Sequence, residues 1–258
     1  LAAALADLIP GLADPNYQGF VFGDGKTNEG PTASHWLGTD NVSRDILARL
    51  IYGARVSLIF AASGVFFGIV IGGLVGSIAG YFRGFLETSL MFSVDVMLSF
   101  PALIGFLCIT QFLGRQDLFI LCLVIAIFIW PPFSRVARAT ALSVSGKDFV
   151  TAARAIGTST RRILFREIFP NVFPTLLAYG LVLLATLVIL ESTLSFLGLG
   201  VEIPTASWGG MINQGRQDLL INIWPPIWPA ATLLMTVFSF NNLADWLQKQ
   251  AASRSAAI

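Results

Sequence analysis

The chain contains several apolar runs that are each long enough to cross a lipid bilayer, and this feature limits its fold more than any other. About 20 apolar helical residues, each rising about 1.5 Å, match a hydrocarbon core of about 30 Å. We predict five transmembrane helices, at residues 56–82, 88–113, 118–135, 172–199 and 225–246. We expect residues 1–12, LAAALADLIPGL, to be the end of a sixth membrane helix, truncated here. The expected fold class is an all-α polytopic membrane protein.

The composition agrees with a membrane protein and excludes an ordinary soluble domain. Of the 258 residues, 55% are hydrophobic and only 12% are charged, whereas about a quarter of the residues in soluble domains are charged. The mean hydropathy is +0.75. The formal net charge of +1 is too small for a bulk electrostatic attraction to nucleic acid. We therefore expect contact with the lipid bilayer and no binding of nucleic acid.

The positions of the charges predict how the helices are oriented. The stretch that joins the third and fourth predicted helices is mostly basic: it carries Arg135, Arg138, Lys147, Arg154, Arg161, Arg162 and Arg166, with Asp148 and Glu167. Cytoplasmic loops carry an excess of Lys and Arg, so we place residues 136–170 in the cytoplasm. Alternation then puts residues 13–55 and 201–223 outside and the tail, 248–258, inside. Residues 56–247 form the predicted transmembrane domain.

Glycine recurs at every fourth position along the first predicted membrane helix. Four residues turn a helix by about 400°, so these glycines form one slowly winding stripe without side chains. The stripe consists of Gly64, Gly68, Gly72, Gly76 and Gly80. Such a stripe lets another helix backbone approach closely. We predict a helix-packing surface here, in preference to a groove that contacts lipid or substrate.

Two acidic residues, Asp95 and Glu191, lie deep in predicted membrane helices. A charged group at a helix centre costs at least about 2.5–3.5 kcal/mol on insertion scales, so it normally faces the protein interior or a wet cavity. Two interpretations stay equally open for both residues: structural polar pairing, and a position on a translocation path. Glu87, at the edge of its helix, is expected near Arg83 at the membrane surface.

No residue pattern predicts catalysis or metal binding. GFVFGDGKT, residues 19–27, has one residue too many for a phosphate-binding loop and lacks the strand and helix that such a loop requires. His35 is the one histidine of the chain, and Cys108 and Cys122 lie inside apolar runs, where cysteine behaves as a small hydrophobe. We expect no catalytic residue, no metal site and no cofactor bound by this chain.

Residues 147–171, KDFVTAARAIGTSTRRILFREIFPN, interrupt the apolar pattern with a basic amphipathic segment. Phe149, Ala152, Ala153 and Ile156 have the spacing of one helical face. The glycine at position 157 is expected to end that helix, and a second short amphipathic helix is expected to end at the proline at position 170.

Two roles are open for this segment. Its arginines could rest on anionic lipid at the membrane surface, or its small-residue face could dock into a groove of a cytoplasmic partner. Lipid anchoring favours Leu, Phe or Trp, whereas Ala152 and Ala153 suit close docking. Docking is therefore the preferred interpretation.

Several stretches resemble one protein family. TAARAIG followed by REIFPN resembles the EAA loop of ATP-binding cassette (ABC) importer permeases. HWLGTDNVSRDILARLIYGARVSL, residues 35–58, is similar to the stretch that marks the C-type permease subunits of oligopeptide, dipeptide and nickel importers. GYFRG, ESTLSFLGLG and WGGM follow in the same order as in that family. The resemblance covers residues 35–245.

The chain departs from the family pattern at a few positions. In the loop, Thr151 stands at the acidic position, Glu167 where His is usual and Phe169 where Leu is common. Elsewhere, Ser43 replaces a glycine, and Arg83 and Glu87 replace Gly and Asp. The small residues of the loop, at positions 152, 153 and 157, are retained.

The resemblance implies the helical bundle of a type I ABC importer permease, with a cytoplasmic coupling helix, in a bacterial or archaeal cytoplasmic membrane. The implied partners are a homologous second permease in a heterodimer, two cytoplasmic ABC subunits that bind ATP and Mg, and an extracytoplasmic solute-binding protein. The chain itself would not be an enzyme.

The implied function is to form half of a translocation path and to couple it to ATP hydrolysis through residues 148–170. The implied coupling residues are Asp148, Ala152, Ala153, Gly157, Arg161, Arg162, Glu167 and Pro170. The substrates are expected to be oligopeptides or dipeptides, with nickel or another small solute as the open alternative.

Two other classes of protein remain as alternatives. A secondary transporter or channel subunit would show inverted repeats or a set of path-lining ionisable groups, and no convincing repeat is present in the sequence. A membrane scaffold or insertion factor would purify without ATPase subunits. Dependence of uptake on ATP separates the first alternative from an importer.

Overall fold

The computed structural model describes residues 6–8, 12–22, 25–114 and 116–255. Within them the regular structure is helical, and an isolated bridge between Thr39 and Asp45 is not part of a strand. The α-helices are α1 Gly19–Phe22, α2 Ile46–Phe82, α3 Gly84–Ser99, α4 Ala102–Leu113, α5 Leu118–Ser145, α6 Asp148–Ala155, α7 Thr160–Phe196, α8 Trp208–Gly215 and α9 Trp224–Ser255. Single π-helical turns occur within α2 and α7. The predicted all-α class is confirmed.

Three helices are long and apolar enough to cross a membrane: α2, α5 and α7. They confirm the spans predicted at 56–82, 118–135 and 172–199. The span predicted at 88–113 is a bent pair, α3 and α4, which pass the same test only together. In the described residues α9 is helical over 225–246, but it does not pass the test of length and hydropathy for a membrane span. Of the predicted sixth helix, residues 1–12, most lie outside the described residues.

The bend between α3 and α4 lies at Phe100 and Pro101. Proline has no N–H for the helical ladder, and its ring pushes the preceding residue out of the helical region. Phe100 is accordingly extended, with ψ 128°, and the two helices meet at 79°. Pro131 and Pro132, in contrast, lie inside α5, which remains one helix.

The helices extend beyond the apolar runs. α2 begins at Ile46, α5 continues to Ser145 and α7 begins at Thr160. The region predicted as a cytoplasmic loop, 136–170, therefore consists of the end of α5, the short helix α6 and the first turns of α7. Hydropathy marks where a helix is apolar, and polar turns can continue it past that point.

The described chain belongs to two compact units. The first unit takes its residues from Leu1–Ala61, Leu113–Leu121 and Ala185–Ser239, and the second from Ala62–Phe112, Cys122–Leu184 and Phe240–Ile258. The first unit contains most of the buried polar side chains of the described residues. These are Thr39, Asp40, Ser43, Arg44, Arg49, Ser57, Glu191, Ser192, Ser195, Ser207 and Asn222.

The second unit has an apolar core built from α2, α5, α6 and α7. Its buried members are Ile69, Phe133, Ala137, Ala141, Val144, Val150, Ile163, Ile168, Val172 and Leu176. The glycine stripe of α2 lies against α5 in this core. A methyl group on Gly76 would overlap the backbone carbonyl of Ser134, and one on Gly80 would lie 2.8 Å from the Ala141 Cβ.

The rest of the stripe has similar surroundings. A methyl group on Gly68 would overlap the Phe133 ring, and one on Gly72 would overlap the Trp130 carbonyl. Gly64, one turn earlier, is also buried. The missing side chains therefore let the backbones of α2 and α5 approach one another, as such stripes do between membrane helices.

Candidate functional site

The coupling helix predicted from the sequence is α6, Asp148–Ala155. It begins after the extended residue Lys147, and Asp148 in its first turn matches the positive end of the helix dipole. It ends at Ala155, and Gly157, two residues later, has a φ of +75° in the left-handed region that favours glycine.

Two hydrogen bonds close the end of α6. The Gly157 N–H donates to the Arg154 carbonyl at 3.0 Å, and the Thr158 N–H donates to the Ala153 carbonyl at 3.0 Å. This is the Schellman pattern of a glycine helix end. The sequence thus located this helix end through the one residue type that adopts the required conformation without steric cost.

α6 is fixed to the second unit on one side and uncovered on the other. Val150 is fully buried in the core, and Ala153 packs against that core. Phe149 is 41% exposed and Ile156 is 82% exposed, with exposed Ala152 between them. The face predicted from the spacing of these residues is therefore mostly outward, and the described part of the chain leaves Phe149 partly exposed and Ile156 mostly exposed.

The residues after Gly157 depart from expectation in one respect. The second short amphipathic helix does not exist as a separate element, because the helix that begins at Thr160 continues through Pro170 into the membrane span α7. Pro170 follows the π-helical turn Leu164–Ile168 inside this helix, and a proline at such an interior position removes one hydrogen bond of the helical ladder. A short link, residues 156–159, thus connects α6 to a membrane helix.

Basic side chains surround the start of α7. Arg161, Arg162 and Arg166 are exposed, together with Phe165, and they line a shallow surface pocket. Glu167 is half-buried. Arg154 of α6 lies over the ring of Tyr81 at the end of α2, 4.7 Å from its centroid, in a cation–π contact.

Asp95 lies in a charged cleft of the second unit. The Arg135 Nη2 donates to Asp95 Oδ1 at 2.6 Å, and the Arg138 Nε donates to Glu87 Oε1 at 2.7 Å. The cleft has a volume of about 620 Å³. Its lining residues are Glu87, Thr88, Met91, Phe92, Asp95, Arg135 and Arg138.

The partner of Glu87 was not predicted from the sequence. The sequence placed Glu87 near Arg83, but in the structure its partner is Arg138 of α5. Arg83 is exposed and forms the break between α2 and α3, with φ +52° and ψ 179°. The sequence does not indicate this partner, because Arg138 is 51 positions away.

Glu191 lies in different surroundings, in the first unit. It is 1% exposed. The Ser57 Oγ donates to its Oε2 at 2.5 Å and the Ser195 Oγ donates to its Oε1 at 2.6 Å. The Ser207 Oγ in turn donates to the Ser195 Oγ at 3.0 Å. This serine cage joins α2, α7 and the residue before α8, which favours the structural interpretation of Glu191 over the path interpretation.

A second buried polar cluster in the first unit escaped the sequence reasoning. The Arg44 Nε donates to Asp40 Oδ2 at 2.6 Å, and its Nη2 donates to Gln214 Oε1 at 2.8 Å. Arg49 is 1% exposed, and its Nη1 donates to the carbonyls of Pro15 at 3.2 Å and Pro204 at 3.3 Å. The RDILAR spacing puts both arginines near the start of α2. Asp40 is only four positions before Arg44, but the partners at positions 15, 204 and 214 leave no local signal.

No candidate metal centre appears in the described part of the chain, where no three His, Cys, Asp or Glu side chains come together. His35 is instead hydrogen-bonded to Asp45, with 2.8 Å between its Nδ1 and the Asp45 Oδ2. Cys108 and Cys122 are not disulfide-bonded.

Comparison with known proteins gives concordant matches. The family model "Binding-protein-dependent transport system inner membrane component" matches residues 64–256. The chain is 37% identical over 221 residues to the glutathione transport system permease protein GsiD of Escherichia coli O6:K15:H31 (strain 536 / UPEC), which covers 86% of this chain and 73% of the relative. GsiD of Shigella dysenteriae serotype 1 (strain Sd197) is 35% identical to this chain over 221 residues, again 86% of this chain and 73% of the relative.

Solved structures share the fold. An inward-facing structure of the MetNI methionine ABC transporter matches with a TM-score of 0.64 at 20% identity, over 80% of this chain and 97% of the solved one. A crystal structure of an amino acid ABC transporter with histidines matches with a TM-score of 0.56 at 16% identity, over 79% and 94%. At these identities the likeness concerns the fold alone.

Proposed function

The chain belongs to the family of binding-protein-dependent transport system inner membrane components, and from that premise we propose how it takes part in import. Members of this family are membrane permease subunits of ABC importers and not enzymes, and ATP is hydrolysed in separate subunits. The chain is therefore a multi-pass protein of the cytoplasmic membrane. We propose that it forms half of the translocation path, beside a homologous second permease in a heterodimer.

We further propose that the substrates are oligopeptides or dipeptides. Two relatives are named as glutathione permeases, and glutathione is a short peptide derivative. Nickel and other small solutes are the alternative that the resemblance to this importer class leaves open. A solute-binding protein outside would deliver the substrate to residues 13–55 and 201–223, and residues 136–170 and the C-terminus would lie inside.

The observation that carries the coupling proposal is the uncovered apolar face of α6. Ile156 is 82% exposed on a helix that the core holds at Val150. A large apolar side chain in this position is stabilised when a partner covers it. The docking partner would be an ABC subunit, whose groove would receive Phe149, Ala152 and Ile156.

The remaining coupling residues support this docking. Asp148 and Gly157 define the two ends of α6, Ala153 fills the space between α6 and the core, and Arg161 and Arg162 are exposed for polar contacts. Because α7 begins directly after α6, closure of the ATPase pair would move both helices together. ATP and Mg would be bound by the ABC subunits alone.

A substitution on the docking face tests the proposal. Ile156→Glu would introduce a charge where an apolar contact is expected, and we expect ATP-driven peptide uptake by reconstituted transporter to fall at least tenfold, which corresponds to about 1.4 kcal/mol. The matched control is Thr151→Glu, an exposed position on the other side of α6. Uptake by Ile156→Glu at the wild-type rate contradicts the docking role. Uptake driven by an ion gradient without ATP would indicate a secondary transporter.

A further inference from the structure

The cleft between α3 and α5 holds charges of both signs in equal number. Two carboxylates, Glu87 and Asp95, face two guanidinium groups, Arg138 and Arg135. Each carboxylate has its own guanidinium, so the empty cleft is neutral. A neutral arrangement avoids the free energy of an unpaired charge in a membrane helix, which is several times thermal energy.

The two pairs differ in how far their side chains are exposed. The side chains of Asp95 and Arg135 are both 58% exposed, whereas those of Glu87 and Arg138 are 17% and 39% exposed. Exposed ion pairs contribute only about 0–1 kcal/mol to stability. The fold therefore gains little from Asp95 and Arg135, although charges in an apolar helix are costly to insert. These two residues are available for another partner.

The surroundings of this exposed pair combine charged groups with an apolar wall. α3 buries only Val94, and Phe92, which lines the cleft, is 69% exposed. The helix ends in the break at Phe100, and non-helical backbone within membrane segments occurs where it is covered by protein or lines a water-filled cavity. Ligand sites commonly combine an apolar wall with a few fixed polar groups.

We propose that this cleft is a subsite for zwitterionic solutes, which binds the free carboxylate of the solute at Arg135 and its free ammonium group at Asp95. The inference rests on the proposed permease function and assigns the recognition of peptide termini to this chain. When a zwitterion replaces the contact between Asp95 and Arg135, each of these two side chains gains a new partner of opposite charge, and no charge is left unpaired. Arg135 offers a planar fork that matches a carboxylate.

The same chemistry defines which solutes the cleft disfavours. A free divalent cation would meet two guanidinium groups, so the cleft does not suit nickel ions. A peptide with an acetylated amino end or an amidated carboxyl end would separate Asp95 from Arg135 and satisfy only one of them. The volume of about 620 Å³ lies in the usual range of small-molecule sites, about 300–1,000 Å³, which favours short peptides.

Equilibrium binding of labelled triglycine to the purified permease–ATPase complex, without the solute-binding protein, tests the subsite. We expect the wild type to bind triglycine at least tenfold more tightly than N-acetyl-triglycine or triglycine amide, because each blocked end loses a charge-assisted hydrogen bond. Asp95→Asn should lose the discrimination against the acetylated peptide and keep that against the amide. Arg135→Gln should show the opposite pattern.

The matched control is Asp245→Asn, which removes an exposed carboxylate of α9 and should leave all three affinities unchanged. Absence of triglycine binding, equal affinity for the three peptides, or unchanged discrimination in Asp95→Asn would overturn the subsite. ATP-driven uptake of peptides of two to five residues, measured in the same preparations with the binding protein, tests the permease function separately. If ATP-driven uptake is observed but the three peptides bind with equal affinity, the subsite is overturned and the permease function is not.

Discussion

Glu191 and Asp95 are both acidic residues of apolar helices, yet they are stabilised in opposite ways. Glu191, in the first unit, is 1% exposed and receives neutral hydroxyl donors from Ser57 and Ser195. Asp95, in the second unit, is 58% exposed and faces the cation Arg135. Hydroxyl groups hold a buried carboxyl group in place without introducing another buried charge, whereas an exposed guanidinium remains free to exchange partners.

The difference shows that residue type and membrane depth do not determine the role of an acidic residue. The sequence leaves structural pairing and path lining equally open for both residues. Burial separates them: a side chain without accessible surface has nothing to offer a solute, and an exposed ion pair contributes little to stability. Stability and transport should therefore respond oppositely to substitutions at the two positions.

The largest expected effect is on stability in the first unit. Glu191→Ala should lower the free energy of unfolding by about 3 kcal/mol, because it leaves a cavity and removes the acceptor of two buried hydroxyl groups. Thermal unfolding of the purified protein in detergent should show a Tm lower by about 5 °C or more. Asp95→Asn is the comparison variant and should shift the Tm by less than about 2 °C. Equal shifts would break the distinction between the two regions.

The glycine stripe gives the next largest effect, in the second unit. Gly76→Ala should lower the free energy of unfolding by about 2 kcal/mol, because its methyl group overlaps the Ser134 carbonyl and the Ala137 Cβ. Gly30→Ala is the control, since a methyl group there has no heavy atom within 4 Å. The same Tm for both variants would show that α2 and α5 are not in close contact.

The smallest expected effect is a gain in stability at Arg83. Its φ of +52° and ψ of 179° are almost restricted to glycine, and such strain costs on the order of 1–3 kcal/mol. Arg83→Gly should therefore raise the free energy of unfolding by about 1 kcal/mol after the greater entropy of unfolded glycine is subtracted. The neighbouring Gly84→Ala, at φ +66°, should have the opposite sign. A lower Tm for Arg83→Gly would contradict the strained geometry.

The sequence predicted the features that have a local cause. Hydropathy located the spans now seen in α2, α5 and α7, and Gly157 marked the end of α6. At position 83 glycine is usual in the family and the structure has a positive φ, although no backbone conformation was predicted there. In each case a residue and its near neighbours contain the physical reason.

The features that sequence reasoning missed depend on distant partners. Glu87 pairs with Arg138 and Arg44 binds Gln214, 51 and 170 positions away. The helix ends at Ile46 and Ser145 lie in polar turns that hydropathy does not distinguish from loops. The serine cage of Glu191 was also hidden, because serines are common in loops and helices alike.

The central claim is that the outward face of α6 is a docking surface for an ABC subunit on the cytoplasmic side. The most direct measurement is labelling of Ile156→Cys by a membrane-impermeant maleimide, in a Cys108→Ser/Cys122→Ser background, with Thr151→Cys as the control. We predict labelling of Ile156→Cys in inside-out vesicles that contain the permease pair alone, and protection when the ABC subunits are present, while Thr151→Cys stays reactive. Labelling of Ile156→Cys from outside intact cells, or equal labelling with and without the ABC subunits, would contradict the account.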